Sequence, residues 1–224
     1  MSVFALVHGA WHGGWCWERL APELERAGHD VVAPDLPCAD PSAGLQAYVQ
    51  TVARAIDGAG DDVVLVGHSL AGLVIPLVAA ARPVARLVLL AALLPEPGRS
   101  LADQLRADKG ILLAAPDRRA RWTEAAATAA FYTECEPDTA RQAFARLRPQ
   151  AAAPQVEPSP LTAWPDVEAE YVVCTRDRMV SPEYGRRAAA ERGIPVRELA
   201  SDHSPMLSHP QALAAVLTAH AEAA

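Results

Sequence analysis

Short apolar runs of strand length alternate with segments of helical periodicity along most of the chain. Continuous apolar runs favour strands of a parallel sheet that helices cover on both faces. The helical patterns lie around residues 15–27, 45–59, 70–81 and 183–192, and a last one follows Pro210. This order predicts an α/β fold with a mostly parallel, doubly wound sheet of about six strands. The six runs are SVFALVHG, DVVAPD, DDVVLVGHS, ARLVLLAAL, EYVVCTRD and PVRELA.

One long segment interrupts the alternation. After Leu94 come Pro95, Pro97, charged helical pieces and the proline-rich stretch PQAAAPQVEPSPLTAWP, before EYVVCTRD restores a strand. We therefore expect residues 95–165 to form an inserted cap subdomain, and residues 1–94 and 166–224 to form the core.

Composition and termini exclude several classes of function. The 224 residues carry a net charge of −7, which provides no basic surface for nucleic acid. The start, MSVFALVHGA, has neither a basic leader nor a membrane-length apolar span, so we expect a cytoplasmic protein without a membrane partner. The four cysteines are scattered without CxxC spacing, and neither HExxH nor a His/Cys cluster occurs. We expect free thiols, no metal and no cofactor.

The stretch LVGHSLAGLVIP, residues 65–76, places a lone Ser69 between an apolar strand and an apolar helix. Two interpretations compete: a serine that caps a buried helix, and a nucleophile held on a sharp turn. Gly67 suits the turn, whereas the full G-x-S-x-G pattern is broken because Ala71 occupies the last glycine position and Gly72 follows one residue late. Ala71 is small, so the turn is still expected.

A serine nucleophile needs a base and an acid that orients the base. In the chain order of this type of site the acid comes first and the histidine second, each after a later strand. Asp177 follows EYVVCTR and His203 follows PVRELA, which makes them the preferred pair. Asp202 adjoins His203 and is poorly placed to reach its far nitrogen. Glu96 and Asp35 remain weaker candidates for the acid.

The developing oxyanion needs two donors, expected from the backbone N–H after the nucleophile and from the loop after the first strand. These are the N–H groups of Leu70 and Ala10. The loop HGAWHGGW also fits an ordinary glycine-rich turn or a nucleotide cradle, but it lacks G-x-G-x-x-G and the P-loop lysine.

The segments HGAWHGGWCW, GHSLAG, CTRD and SDHSPMLSHP together resemble the α/β-hydrolase superfamily. Within it they resemble the group of plant methylesterases, hydroxynitrile lyases and related bacterial esterases. The resemblance covers nearly the whole chain. It implies a sheet that begins at the third strand of the full superfamily pattern, a cap after the sixth strand, a Ser69–Asp177–His203 triad and an oxyanion hole at Ala10 and Leu70.

The expected reaction is hydrolysis of a small carboxylic ester, and the resemblance makes a methyl ester one candidate. An ester is the only expected binding partner, while a homodimer is left open. Several apolar side chains are candidates for the substrate pocket, although each of them also suits an ordinary core. These residues are Trp11, Trp122, Phe131, Trp164, Met206 and Leu207.

Rival functions use the same fold. A hydroxynitrile lyase of this group typically has a lysine after the catalytic histidine and a threonine in the oxyanion loop, where this chain has Ser204 and Ala10. A ligand receptor that retains the triad, a thioesterase and a tailoring enzyme of secondary metabolism all remain compatible with the sequence.

Overall fold

Six parallel strands form one sheet in the computed structural model, which describes residues 1–116 and 121–219. The strand order is β2-β1-β3-β4-β5-β6, and every neighbouring pair is parallel. This sheet confirms the predicted α/β class and all six predicted strands. The strands are β1 (Val3–Val7), β2 (Asp30–Val32), β3 (Val63–His68), β4 (Arg86–Leu90), β5 (Glu168–Cys174) and β6 (Val196–Leu199).

The order of strands reverses next to β1. The chain first places β2 on one side of β1 and then places β3 on the other side. Such a switch point leaves a crevice at the carboxyl ends of the two strands, where open α/β sheets bind their ligands. Both the HGAWHGGW loop after β1 and Ser69 after β3 are therefore at this crevice.

The helices connect and cover the strands. Two short 3-10 helices, Gly14–Trp17 and Ser69–Leu73, precede the first and third of the α-helices. The α-helices are α1 (Ala21–Arg26), α2 (Leu45–Ala55), α3 (Ile75–Ala81), α4 (Leu101–Ala107), α5 (Glu124–Phe131), α6 (Pro137–Ala145), α7 (Ala153–Val156), α8 (Pro182–Ala190), α9 (Pro205–Ser208) and α10 (Pro210–Thr218).

The segment expected as one helix over residues 70–81 is divided. A 3-10 turn covers Ser69–Leu73, and α3 begins only at Ile75. Pro76 explains the division, because its nitrogen has no hydrogen to donate to the carbonyl of Gly72, four residues earlier. The predicted helix over 15–27 is likewise a 3-10 turn followed by α1.

The segment between β4 and β5 contains α4, α5, α6 and α7, and its described residues form no strand of the sheet. Residues 117–120 of the expected cap lie outside the described part of the chain. An isolated antiparallel bridge between Leu112 and Val180 joins this segment to the loop after β5. The segment is thus tied to the carboxyl end of the sheet. Its assignment as a separate cap subdomain remains a prediction.

Among the helices of residues 1–116 and 121–219, none has the length and apolar composition needed to cross a bilayer.

Candidate active site

Ser69 stands on a strained turn at the end of β3. Its φ angle is +53°, a left-handed value that is costly for a residue with a side chain. The surrounding glycines allow the turn to form. A Cβ on Gly67 would lie 2.8 Å from Ile75 Cδ1 and 3.1 Å from the Ala71 carbonyl oxygen. The geometry is that of a strand–turn–helix elbow with a serine at its tip.

The displaced glycine of the broken G-x-S-x-G pattern also has a physical reason. A Cβ on Gly72 would lie only 2.4 Å from the Leu93 carbonyl oxygen, so no side chain fits at position 72. Ala71, at the usual glycine position, is fully buried and fits. Close packing against the end of β4 therefore requires the glycine one residue later than the pattern expects.

His203 and Asp177 form a buried pair at the carboxyl end of the sheet. The Nδ1–H of His203 donates to Asp177 Oδ2 over 2.7 Å, and both side chains are at most 2% exposed. The other carboxylate oxygen, Oδ1, accepts from the backbone N–H groups of Met179 at 2.7 Å and Val180 at 2.9 Å. These bonds fix the carboxylate, which in turn fixes the orientation of the imidazole ring.

The other acidic candidates lie elsewhere. Asp202 is buried, but its carboxylate accepts from Ser204 N, Ser208 Oγ and Glu134 N rather than from the ring of His203. Asp35 pairs with Arg148 over 3.2 Å and accepts from the backbone N–H of Gly14. Glu96 forms an exposed ion pair with its neighbour Arg99. Among the described residues, Asp177 is the acid in contact with His203.

His68, directly before Ser69, holds the main chain of His203. Its Nε2–H donates to the His203 carbonyl oxygen over 2.8 Å, and the two ring centroids are 4.5 Å apart. Burial, with the neighbouring histidine charges, lowers the pKa of His68 well below its usual value, so the ring is neutral. This bond places the histidine loop beside the elbow. No hydrogen bond among the described residues joins the Ser69 hydroxyl to His203. In many enzymes the bond between nucleophile and base is long without substrate and tightens only when substrate binds.

The two expected oxyanion donors are both available. Neither Ala10 N–H nor Leu70 N–H donates a hydrogen bond to another described residue. The loop after β1 passes close to the serine, because a Cβ on Gly9 would lie 2.9 Å from Ser69 Cβ. A glycine is needed there for the main chain to approach the elbow.

Three of the proposed pocket residues meet next to His203. Phe131 lies 5.8 Å from the His203 ring between centroids, and Trp122 packs 4.6 Å from Phe131. Trp11 contacts both, at 5.5 Å from Trp122 and 6.0 Å from Phe131. The loop after β1 and the segment before β5 thus form one aromatic cluster, which we call the aromatic wall (Trp11, Trp122 and Phe131).

The remaining pocket candidates have different positions. Trp164 lies before the amino end of β5 and lines a surface groove with Arg192, whose guanidinium is 5.9 Å from the indole ring. Since Ser69 is at the carboxyl edge, the expectation that Trp164 lines the pocket is corrected: it lies at the opposite end of the sheet. Met206 and Leu207 are buried in α9. Their role in the pocket stays a prediction.

Sequence reasoning missed two polar residues of the inserted segment that reach the first loop. Tyr132 OH donates to His12 Nε2 over 2.8 Å, and Arg148 donates to the His12 carbonyl oxygen. Nothing local distinguishes these residues in the sequence, because each bond joins residues more than 100 positions apart.

Comparisons with known proteins show the family and the fold of the chain. Residues 4–216 match the model of the alpha/beta hydrolase family. The chain is 30% identical to Methylesterase 3 of Arabidopsis thaliana, over 95% of the chain and 93% of that protein. It is 41% identical to a carbendazim hydrolyzing esterase of Nocardioides sp. (strain SG-4G), over 45% of the chain and 46% of that protein. The structure of a pyrethroid hydrolase from Sphingobium faniae JZ-2 has the same fold, with a TM-score of 0.80, 24% identity and coverage of 99% and 98%.

Proposed function

Since the chain belongs to the alpha/beta hydrolase family, we propose that it hydrolyses carboxylic esters through an acyl-enzyme on Ser69. The observation that carries the proposal is the buried His203–Asp177 pair held beside the strained Ser69 elbow. Relatives that are named as esterases and methylesterases support the same reaction.

The first half of the reaction forms the acyl-enzyme. Asp177 holds the proton of His203 on Nδ1, so Nε2 is free to accept the proton of the Ser69 hydroxyl. Ser69 Oγ attacks the ester carbonyl carbon, and the carbonyl oxygen becomes an oxyanion that accepts from the N–H groups of Ala10 and Leu70. The bond from carbon to the alcohol oxygen then breaks. His203 gives its proton to this oxygen, and the alcohol leaves.

The second half regenerates the serine. A water molecule loses a proton to His203 Nε2 and attacks the acyl carbon, and the same two N–H groups stabilise the second tetrahedral intermediate. The bond to Ser69 Oγ breaks, His203 returns the proton to Oγ, and the carboxylic acid leaves. Asp177 remains ionised throughout and stabilises the imidazolium that forms in both halves.

The aromatic wall indicates the type of substrate. Phe131 packs against the ring of His203, and the three rings of the wall together offer apolar surface and ring faces. Such a surface favours a compact apolar or aromatic group on the ester. Two of the three rings come from residues 95–165, which supports the assignment of this segment as a cap over Ser69. A methyl ester of an aromatic acid meets these demands.

The decisive experiment is a hydrolysis panel with matched serine variants. Aryl acetates, aryl butyrates and methyl esters of aromatic acids are assayed with the wild type, Ser69→Ala, His203→Ala and Ser42→Ala. Ser42 is an exposed serine bonded only to Asp40 among the described residues, so it serves as the control. We expect the first two variants to lose at least about 10³-fold in kcat. They should keep the fold, and the control should match the wild type.

Labelling with a fluorophosphonate identifies the nucleophile directly. The wild type and Ser42→Ala should gain one phosphonyl group each, attached to the peptide that contains Ser69, whereas Ser69→Ala should gain none. Normal turnover by Ser69→Ala, or labelling of another residue, would contradict the proposal.

A further inference from the structure

Every carbonyl group of residues 9–12 accepts a hydrogen bond. His8 Nδ1 and His12 Nδ1 donate to the first two carbonyl oxygens, over 2.8 Å each. Arg148 donates to the other two, with its backbone N–H at 2.7 Å and with its guanidinium Nε and Nη2 at 3.0 and 2.8 Å. These hydrogen bonds to its carbonyl groups fix the loop, while the N–H of Ala10 donates to no other residue in 1–116 or 121–219.

The bond from His8 determines where the Ala10 N–H points. The carbonyl of Gly9 and the N–H of Ala10 belong to the same planar trans peptide, so the two groups point in opposite directions. When His8 Nδ1–H holds the carbonyl of Gly9, the N–H of Ala10 is aimed to the other side of the peptide. The close approach of Gly9 to Ser69 Cβ puts this peptide beside the elbow.

The partners of His8 fix its tautomer. Leu36 N–H donates to His8 Nε2 over 3.0 Å, and Arg148 Nη2 lies 3.2 Å from the same nitrogen. Since both neighbours are donors, Nε2 accepts and the proton stays on Nδ1, where it is needed for Gly9. Burial lowers the pKa of His8 to about 4, so the ring is neutral at pH 7.

Arg148 is itself anchored on several sides. Its guanidinium lies 3.2 Å from Asp35 Oδ1 and also donates to the Leu36 carbonyl oxygen over 3.3 Å. It follows α6 in the inserted segment and reaches across to the loop after β1. A single side chain thus links His8, the His12 carbonyl group and the connection after β2.

We propose that His8 is a positioning residue that aims the Ala10 N–H at the oxyanion, and that Arg148 holds His8 in the tautomer this requires. This inference rests on the proposed function, because it assigns Ala10 N–H to an ester oxyanion. Neither side chain contacts the substrate: both act through the Gly9–Ala10 peptide.

The kinetic test compares four variants. His8→Leu removes the donor, His8→Asn keeps an amide donor near the position of Nδ1, Arg148→Gln removes the guanidinium, and Arg141→Gln is the control. Arg141 forms only an exposed ion pair with Asp138 among the described residues, so its loss removes the same charge without touching the loop. All rates are expressed per active site titrated with a fluorophosphonate, so that a loss of folded protein does not count as a loss of kcat.

We expect His8→Leu to lower kcat by about 100-fold with KM within about twofold of the wild type, because oxyanion donors act in the transition state. The kcat of His8→Asn should be at least about tenfold higher than that of His8→Leu, which is on the order of the contribution of one hydrogen bond. Arg148→Gln should lower kcat about tenfold. The affinity for an arylboronic acid, whose tetrahedral adduct carries an oxygen in the oxyanion site, should fall in parallel with kcat.

Amide hydrogen exchange tests the same proposal without an ester. Exchange of the residue 9–13 amides should be at least about tenfold faster in His8→Leu and Arg148→Gln than in Arg141→Gln, since a loop that loses its anchors opens more often. A wild type that hydrolyses no ester contradicts the proposed function, and the exchange rates then decide the positioning proposal. Wild-type kcat per titrated site in His8→Leu, or unchanged exchange in both variants, would overturn it.

Discussion

His203 Nδ1 lies 2.7 Å from Asp177 Oδ2, although the two residues follow different strands of the sheet. Asp202, the immediate neighbour of His203, instead bonds to Ser204, Ser208 and the backbone of Glu134. The acid that orients the imidazole is therefore Asp177, which is distant in sequence, whereas the carboxylate of Asp202 stabilises the loop that carries His203. This division of roles leads to the first prediction.

Asp177→Asn is expected to lower kcat by about 10³- to 10⁴-fold, because an amide in this position favours the wrong tautomer of His203. Asp202→Asn should lower the free energy of unfolding while it leaves kcat per titrated site near that of the wild type. Both Asp202 oxygens accept from backbone N–H groups, so the amide of Asn would turn its own N–H groups toward one of these donors. None of these bonds involves the ring of His203. Glu96→Gln, in an exposed ion pair, is the control. Steady-state kinetics and urea unfolding give both quantities. The reverse ranking of Asp177 and Asp202 would refute the assignment.

Trp122→Ala should raise KM for naphthyl and phenyl esters by about tenfold or more, since burying a large apolar side chain against a ligand is worth about 1.5–3 kcal/mol. KM for ethyl acetate should change less, because this substrate has no ring. Trp164→Ala is the matched control, a tryptophan at the opposite end of the sheet. Equal effects of the two substitutions would show that the aromatic wall does not bind the substrate.

Acid should destabilise the fold before its carboxylates titrate. Burial lowers the pKa of His8 to about 4 and that of His12 to about 3, and it also lowers the pKa of His68 well below its usual value. Below about pH 6.5 the unfolded chain binds protons at these positions that the folded chain does not, so the free energy of unfolding falls as the pH falls. The slope approaches about 1.4 kcal/mol per pH unit for each histidine.

Urea unfolding at pH 7.5, 6.5, 5.5 and 4.5 measures this slope. His12→Asn has no titrating group at this position, so the slope of the free energy of unfolding against pH should fall by the contribution of about one proton. A free energy of unfolding that is constant from pH 7.5 to 4.5 would contradict the neutral buried histidines.

Release of cyanide from mandelonitrile or acetone cyanohydrin should be negligible. Cleavage leaves a cyanide anion that needs a nearby positive charge, and the residue after His203 is the uncharged, fully buried Ser204. Ala10 has no hydroxyl to orient the hydroxyl group of a cyanohydrin. A cyanide assay beside the ester assay measures both reactions. Rapid cyanide release that Ser69→Ala abolishes, with no ester hydrolysis, would favour a lyase.

The order of strands and helices could be predicted from the sequence, because the secondary structure of each segment depends mainly on residues close to it in the chain. Continuous apolar runs predicted six parallel strands, and the residues that follow β3, β5 and β6 gave Ser69, Asp177 and His203. The carboxyl ends of parallel strands meet at one edge, so strand order alone brings these positions together. The boundaries of the helices differ from those predicted. Pro76 divides the helix after Ser69, an effect that apolar periodicity does not reveal.

Side-chain partners, in contrast, were decided only by the tertiary structure. Trp122 and Trp164 have the same side chain and belong to the same inserted segment, yet one packs in the aromatic wall and the other lies at the far end of the sheet. The bonds of Arg148 to the loop after β1 span more than 130 residues. Local sequence encodes backbone conformation through neighbouring side chains. Contacts between distant side chains depend on how all the helices and strands pack together. No short motif contains this information, because the packing depends on interactions along the whole chain.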